Sequence, residues 1–337
     1  MDDSRCATLT STAPEPRVQP GEARVCFVIV FFGQWPRWID YFLLSCQQNP
    51  QFHWRIFTDC PIDRELPANV IVSSIDQNEV ERLIQERILP EFTLSSAYKL
   101  CDIKPAYGEI FAEHLRDYEF WGYTDLDIIL GNLGDFFTPN ILNRHDVLTA
   151  CTHLVAGHCT ILRNETRFNR LFRECTIYKQ KFLLPDYRKF DEGDFSDHVK
   201  AEHARQNLRF YERDIIREDA MIWWSGRPRF LISWSQGRLV DVFSFKEIAY
   251  FHFIHSKRHE YFQFSPLPNE VRRLIIDRNG CFALRGVGAY VRFLKSFFVT
   301  LAFTLPWYVV SVLERVMPPS LHAKFKRMIG MKGMPKF

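Results

Sequence analysis

Residues 2–23 show no apolar periodicity; they mix acids, Ser, Thr and prolines, Pro14, Pro16 and Pro20 among them. That composition predicts a disordered tail and offers no apolar core for a signal peptide. From Val25 to Phe32 the chain is an unbroken apolar, β-rich run ending at Gly33, the pattern of a strand covered on both faces. Trp38, Tyr41, Phe42 and Ser45 then recur on one side of a predicted helix over 38–48. Strands follow at 53–58, closed by Asp59-Cys60-Pro61, and at 69–73; a charged helix over 79–89 and another over 103–115 come next. Residues 119–124 predict a strand, 147–151 and 158–163 two more, 166–175 a helix and 185–197 a polar, aromatic loop. Late strands are expected at 230–233 and 248–254. Strands alternating with helices imply βαβ units and a mostly parallel sheet.

The last part of the chain has another pattern. Residues 290–313 are almost wholly apolar apart from Arg292 and Lys295, and 296–313 carry no charge. That stretch is about long enough for a minimal membrane span, but Pro306 interrupts it beside Trp307 and Tyr308. Lys324, Lys326, Arg327, Lys332 and Lys336 follow. A span, an interfacial helix or hairpin with a basic flank, and a buried core helix all fit; association with a membrane surface is the expectation. The chain thus divides into a tail (1–23), one globular domain (24–285) and an apolar, basic segment (286–337).

At 47% hydrophobic and 25% charged, the composition is that of an ordinary globular protein. A length of 337 residues exceeds the usual single domain without requiring two cores. The formal charge of only +3, with no long basic run in the domain, argues against nucleic acid as a partner. Nine cysteines, an odd number without a C-x-x-C pair and mostly inside apolar runs, read as reduced, buried thiols. The expected location is therefore the cytoplasmic side of a membrane, peripheral or with a single C-terminal anchor. Cys151, His153, His158 and Cys159 can be drawn as a zinc site, but the last two would point apart on a strand.

The strand over 119–124 runs directly into Asp125-Leu126-Asp127. In open α/β sheets ligands gather outside the carboxyl ends of strands. Two carboxylates spaced i, i+2 at such an end can share one divalent cation. Hard oxygens suit Mg²⁺ or Mn²⁺, which also bind diphosphate oxygens and offset charge on a departing nucleoside diphosphate. A bare D-x-D also caps ordinary turns; here an aromatic strand precedes it, and Gly131 and Gly134 bend the chain afterwards.

Tyr98-Lys99-Leu100 followed by Trp121-Gly122-Tyr123-Thr124-Asp125-Leu126-Asp127-Ile128-Ile129 resembles the Y-x-R-L … L-Y-L-D-x-D-x-x-V pattern of retaining glycosyltransferases of the A-type fold. Galactosyltransferases of lipooligosaccharide synthesis and glycogenin-like enzymes carry that pattern. Residues 99–108, Lys-Leu-Cys-Asp-Ile-Lys-Pro-Ala-Tyr-Gly, are closer still to an uncharacterised bacterial glycosyltransferase-like family with K-x-C-D-x-K-P-A-Y-G. The resemblance covers roughly residues 25–265 and implies an α/β fold with a mixed, mostly parallel central sheet flanked by helices. It also implies Mn²⁺ or Mg²⁺, a UDP-hexose donor and a glycan or glycolipid acceptor.

The resemblance assigns roles residue by residue. Phe32 and Gly33 are implied neighbours of the nucleotide base, and Asp59, placed on the donor as well, sits at a similar strand end. Lys99, which replaces the family's arginine, and Lys104 are placed on the donor. His158 follows the small-residue turn Ala156-Gly157 where the donor sugar meets the sheet. The run from Tyr250 to Arg258 resembles H-F-x-x-x-x-K: His252, or else His255, completes a metal shell with Asp125 and Asp127, and Lys257 or Arg258 meets diphosphate. Phe190-Asp191-Glu192-Gly193-Asp194-Phe195 resembles the D-Q-D loop, so Asp191 and Glu192 would bind sugar hydroxyls or stabilise positive charge at the anomeric carbon. Glu218-Asp219 is a rival acidic pair. Other readings remain a non-catalytic nucleotide-sugar-binding protein and a nucleotidyltransferase, although Phe32-Gly33-Gln34-Trp35 supplies no glycine-rich, basic phosphate loop.

Overall fold

The computed structural model describes residues 24–219, 230–284 and 291–301. The expected tail, and the C-terminal segment apart from 291–301, lie outside the described residues.

A seven-stranded sheet forms the centre. Its strands are β1 (Val25–Phe31), β2 (Phe52–Thr58), β3 (Val70–Ser74), β4 (Phe120–Thr124), β6 (Val147–Thr149), β7 (Cys159–Arg163) and β8 (Phe210–Glu212), with β5 (Ile128–Leu130) diverted elsewhere. The order is β3-β2-β1-β4-β7-β6-β8. Strands β3, β2, β1 and β4 run parallel, β7 is antiparallel to both neighbours, and β8 is parallel to β6. Side chains of a strand alternate between faces. In β1, Cys26 and Val28 enter one core and Val25, Phe27 and Ile29 the other, which explains its unbroken apolar run.

The helix α1 (Ile39–Gln47) buries Ile39, Tyr41, Phe42, Leu43 and Cys46. The helix α2 (Gln77–Arg87) begins with a capping box between Asp76 and Glu79, which satisfies two otherwise orphaned N–H groups. The predicted long helix over 103–115 is instead four short pieces, Leu100–Ile103, Lys104–Ala106, Tyr107–Ile110 and Ala112–Leu115. Pro105 lacks the N–H that a continuous helix needs at that point, and 3₁₀ turns bridge the break. The loop expected over 185–197 ends early, because Asp194–Ala204 is a helix.

Two smaller sheets lie beyond. β13 (Tyr250–His252) runs between β5 and β9 (Ile216–Glu218), antiparallel to the first and parallel to the second. A six-stranded sheet is built from β10 (Leu231–Ser235), β11 (Arg238–Asp241), β12 (Lys246–Glu247), β14 (Gln263–Phe264), β15 (Arg273–Asp277) and β16 (Gly280–Ala283). It shares a core with α1 and the small sheet through Tyr41, Ile129 and Phe251. Helical residues 291–301 rest on this sheet through Phe297, stacked on Phe243 at 5.4 Å. Among the described residues no helix is long and apolar enough to cross a membrane. The cysteines described are all free, and all but Cys101 are buried.

Candidate metal centre and cleft

The site begins where β4 leaves the central sheet. Asp125, Leu126 and Asp127 link β4 to β5, so both carboxylates stand at the carboxyl edge of the parallel strands. The small sheet supplies the third group, because its register sets His252 opposite both Ile128 and Glu218. One ligand atom each from Asp125, Asp127 and His252 lies within 4.8 Å of the others, and so does a second trio of His158, Glu218 and His252. His252 joins the two. Its Nε2 is 3.3 Å from Asp127 Oδ2 and its Nδ1 is 2.9 Å from Glu218 Oε1. The His158 ring lies 4.5 Å away from it, centroid to centroid, and His158 Nδ1 meets the Tyr250 hydroxyl at 2.7 Å.

Cationic groups balance the acids. Lys104 Nζ donates to Asp125 Oδ1 at 2.5 Å and to the Gly157 carbonyl at 2.8 Å. The Lys257 ammonium donates to Asp127. Burial by itself would raise the Asp127 carboxyl, but His252 and Lys257 outweigh it and hold the group well below the usual carboxylate range. Burial would likewise depress His252; Asp127 and Glu218 overcome that and lift it to about 10. Burial, then the charge on His252, pushes His158 well below the ordinary histidine value. Two neighbouring imidazoles oppose each other's charging, and their shifts run in opposite directions.

The residues fit a divalent cation. His252 is 2% exposed, and its Nε2 is buried beside the aspartates without an aligned hydrogen-bond partner. Two carboxylates with one imidazole suit Mn²⁺, and Mg²⁺ to a lesser degree.

The loop before Asp194 closes the other side. Tyr187 donates to Asp191 Oδ1 at 3.1 Å, and the Gly157 N–H donates to Glu192 Oε1 at 3.0 Å. Burial pushes the Asp191 carboxyl up to about 7 even though Lys104 opposes the shift. Two compartments of about 250 Å³ each meet at a shared wall of Tyr98, Cys101, Lys104, Asp125, Asp127 and Lys257. One is apolar, lined by Phe32, Trp38, Leu100 and Tyr107. The other is polar, with Asp191, Glu192, His158, Glu218 and Arg258 in its lining.

Most of the residues expected from sequence therefore converge. Three do not line the cleft. Gly33, at φ +105°, donates its N–H to Asp59 Oδ1 at 2.7 Å, so this pair ties the ends of β1 and β2 together. Lys99 is fully buried elsewhere, bonded to Asp102 at 2.8 Å and to the carbonyls of Lys181 and Asp186. His252, rather than His255, faces the aspartates. Of the rival acidic pair, Glu218 belongs to the cleft, whereas Asp219 is buried and accepts the N–H groups of His255 and Ser256. Cys151 Sγ is 4.0 Å from His158 Nε2, but no metal-binding group among the described residues includes a cysteine.

No curated protein sequence matches this chain. Among solved structures, a galactosyltransferase, LgtC, in complex with donor and acceptor sugar analogues is 8% identical, with 68% of this chain aligned to 87% of that one at a TM-score of 0.37. Mouse xyloside xylosyltransferase 1 in its apo form is 10% identical over 72% of this chain and 100% of that one, at a TM-score of 0.39. Residues 27–282 match the sequence profile described as a family of unknown function, DUF6625, and the chain belongs to that family.

Proposed function

We propose that the protein is a metal-dependent glycosyltransferase that moves a hexose from a nucleoside-diphosphate sugar, of the UDP-hexose type, to a glycan or glycolipid acceptor. The reading is carried by one observation: Asp125, Asp127 and His252 converge within 4.8 Å at the wall between an apolar and a polar compartment. The aromatic lobe around Phe32, Trp38 and Tyr107 suits a flat nucleobase. The polar lobe suits a sugar, whose hydroxyls need fixed carboxylates as partners. Between them a diphosphate would lie against Lys104, Lys257 and Arg258.

A bound Mn²⁺ or Mg²⁺, held by Asp125, Asp127 and His252, would supply charge stabilisation to the departing diphosphate. The chain's own groups do the rest. Lys257 at that wall and Arg258 in the polar lobe add positive charge, and Lys104 holds Asp125 in place. Asp191 and Glu192, fixed by Tyr187 and Gly157, orient the sugar and stabilise positive charge at its anomeric carbon. Retention of configuration follows the sequence resemblance.

Calorimetry with Mn²⁺ and UDP added together tests the proposal, followed by a panel of nucleotide sugars watched for slow donor hydrolysis. The wild type should bind UDP only with the metal present, and Asp127→Asn should lose that binding while remaining folded. Metal-independent binding, or unchanged turnover in the variant, would overturn it.

A further inference from the structure

We propose that the outer face of helical residues 291–301, together with Phe245, is a docking surface for an anionic lipid bilayer. This inference does not depend on the catalytic reading, and its test needs no substrate.

The orientation of the helix is fixed from below. Ser296 donates to the buried carboxylate of Asp277, Phe297 stacks on Phe243, and Arg292 lies over the Phe282 ring at 3.9 Å. Ser296 and Thr300 are buried against the sheet. Residues three, four and seven apart share one helix face. The opposite face thus presents Val291, Leu294 and Phe298, which are 60%, 50% and 60% exposed. Lys295 is exposed beside them. Phe245 is held at φ +55° and is 85% exposed, two residues from the Phe243 that supports the helix. A bulky side chain in the left-handed region and in water is unfavourable on both counts.

Charge decides the occupant. Residues 291–301 contain Arg292 and Lys295 and no acid. A second copy of this face would bring like charges together. The chain beyond residue 301 is a poor cover for the same reason, since Arg315, Lys324, Lys326, Arg327, Lys332 and Lys336 outnumber its single acid, Glu314. A lipid surface with negative headgroups complements both the helix and this basic sequence. Residues 302–313, without one charged side chain, extend the apolar pattern. Apolar insertion plus attraction to anionic lipid is the usual logic of an interfacial helix.

The full chain should sediment with phosphatidylcholine vesicles that contain phosphatidylserine, and far less with phosphatidylcholine alone, the binding falling as salt is added. The exposed double substitution Leu294→Ser with Phe298→Ser should weaken that binding by about tenfold or more at an unchanged melting temperature. Equal binding to both vesicles, none to either, or no effect of the double substitution would overturn the proposal. So would a concentration-dependent doubling of mass that the same substitutions abolish, which would assign the face to self-association.

Discussion

Glu218 Oε1 lies 2.9 Å from His252 Nδ1, on the side of the ring away from Asp127. An imidazole offered to a metal needs its other nitrogen held, and a carboxylate there fixes both tautomer and ring orientation. Pairing β9 with β13 puts the two side chains in register, so the partner is built into the sheet. Glu218→Ala should lower Mn²⁺ affinity by about 10–100-fold. Because the loss also leaves the buried His252 Nδ1 without its carboxylate, the melting temperature of the metal-free protein should fall as well. Calorimetry beside thermal unfolding reads both; an unaltered metal affinity would remove Glu218 from this role.

A methyl group at Gly157 would come within 2.4 Å of Asp191 Oδ2 and 3.1 Å of Glu192 Oε1. The side chains that must give way are the two carboxylates assigned to the sugar. Gly157→Ala should therefore cost about 1–3 kcal/mol of stability and raise the KM for donor more than tenfold. Unchanged kinetics with intact stability would show that the loop tolerates displacement and that Asp191 does not position sugar.

Asp191 predicts a pH effect whose sign can be worked out. Its carboxyl is raised from 3.8 to about 7 in the fold, chiefly by burial. Between those values the folded state binds more protons than the unfolded one, so stability falls as pH rises. The contribution is fully present below about pH 4 and is lost as pH passes about 7, amounting to at most about 4 kcal/mol. In Asp191→Asn this dependence disappears. Urea unfolding of both proteins at pH 5 and pH 8 isolates it: the variant should gain on the wild type at the higher pH. A difference independent of pH would mean that Asp191 is ionised throughout.

Local pattern reveals some of this architecture and conceals the rest. β1 and β4 are legible because strands buried on both faces must be continuously apolar; β2, which carries His53 and Arg55, is marked instead by the Asp59-Cys60-Pro61 turn that closes it. The candidate metal trio needs two kinds of information. Asp125 and Asp127 are two positions apart in sequence, whereas His252 is far away along the chain and meets them only through the pairing of β5 with β13; the motif resemblance pointed to His252, and periodicity could not. Glu218 is visible in the sequence only as one of a rival acidic pair; its place beside His252 is not, because a three-residue strand has too few positions to show alternation. The six-stranded sheet escaped for a similar reason: β12 and β14 have two residues each. The resemblance puts Gly33 beside the nucleotide base and Asp59 at a similar strand end, but the hydrogen bond between them ties these two residues to each other.

The two lysines of the motif Lys99-Leu100-Cys101-Asp102-Ile103-Lys104 separate into different tasks. Lys104 reaches the cleft, but Lys99 is enclosed, bonded to Asp102 and to two carbonyls of the segment that leads into the Asp191 loop. Asp102 in turn accepts the N–H groups of Arg188 and Phe190, at 2.9 and 2.8 Å. Lys99 therefore anchors the loop that carries Asp191 and Glu192, away from the cleft lining. Removing one partner of a buried ion pair strands the other and costs about 3–5 kcal/mol. Lys99→Met should show that loss in urea unfolding, yet its folded fraction should keep wild-type affinity for UDP with Mn²⁺. Lys104→Met should instead weaken UDP binding, since it removes positive charge from the wall shared by both compartments. If Lys99→Met kept full stability and lost the nucleotide, the donor role implied by its motif would stand and the anchoring role would fall.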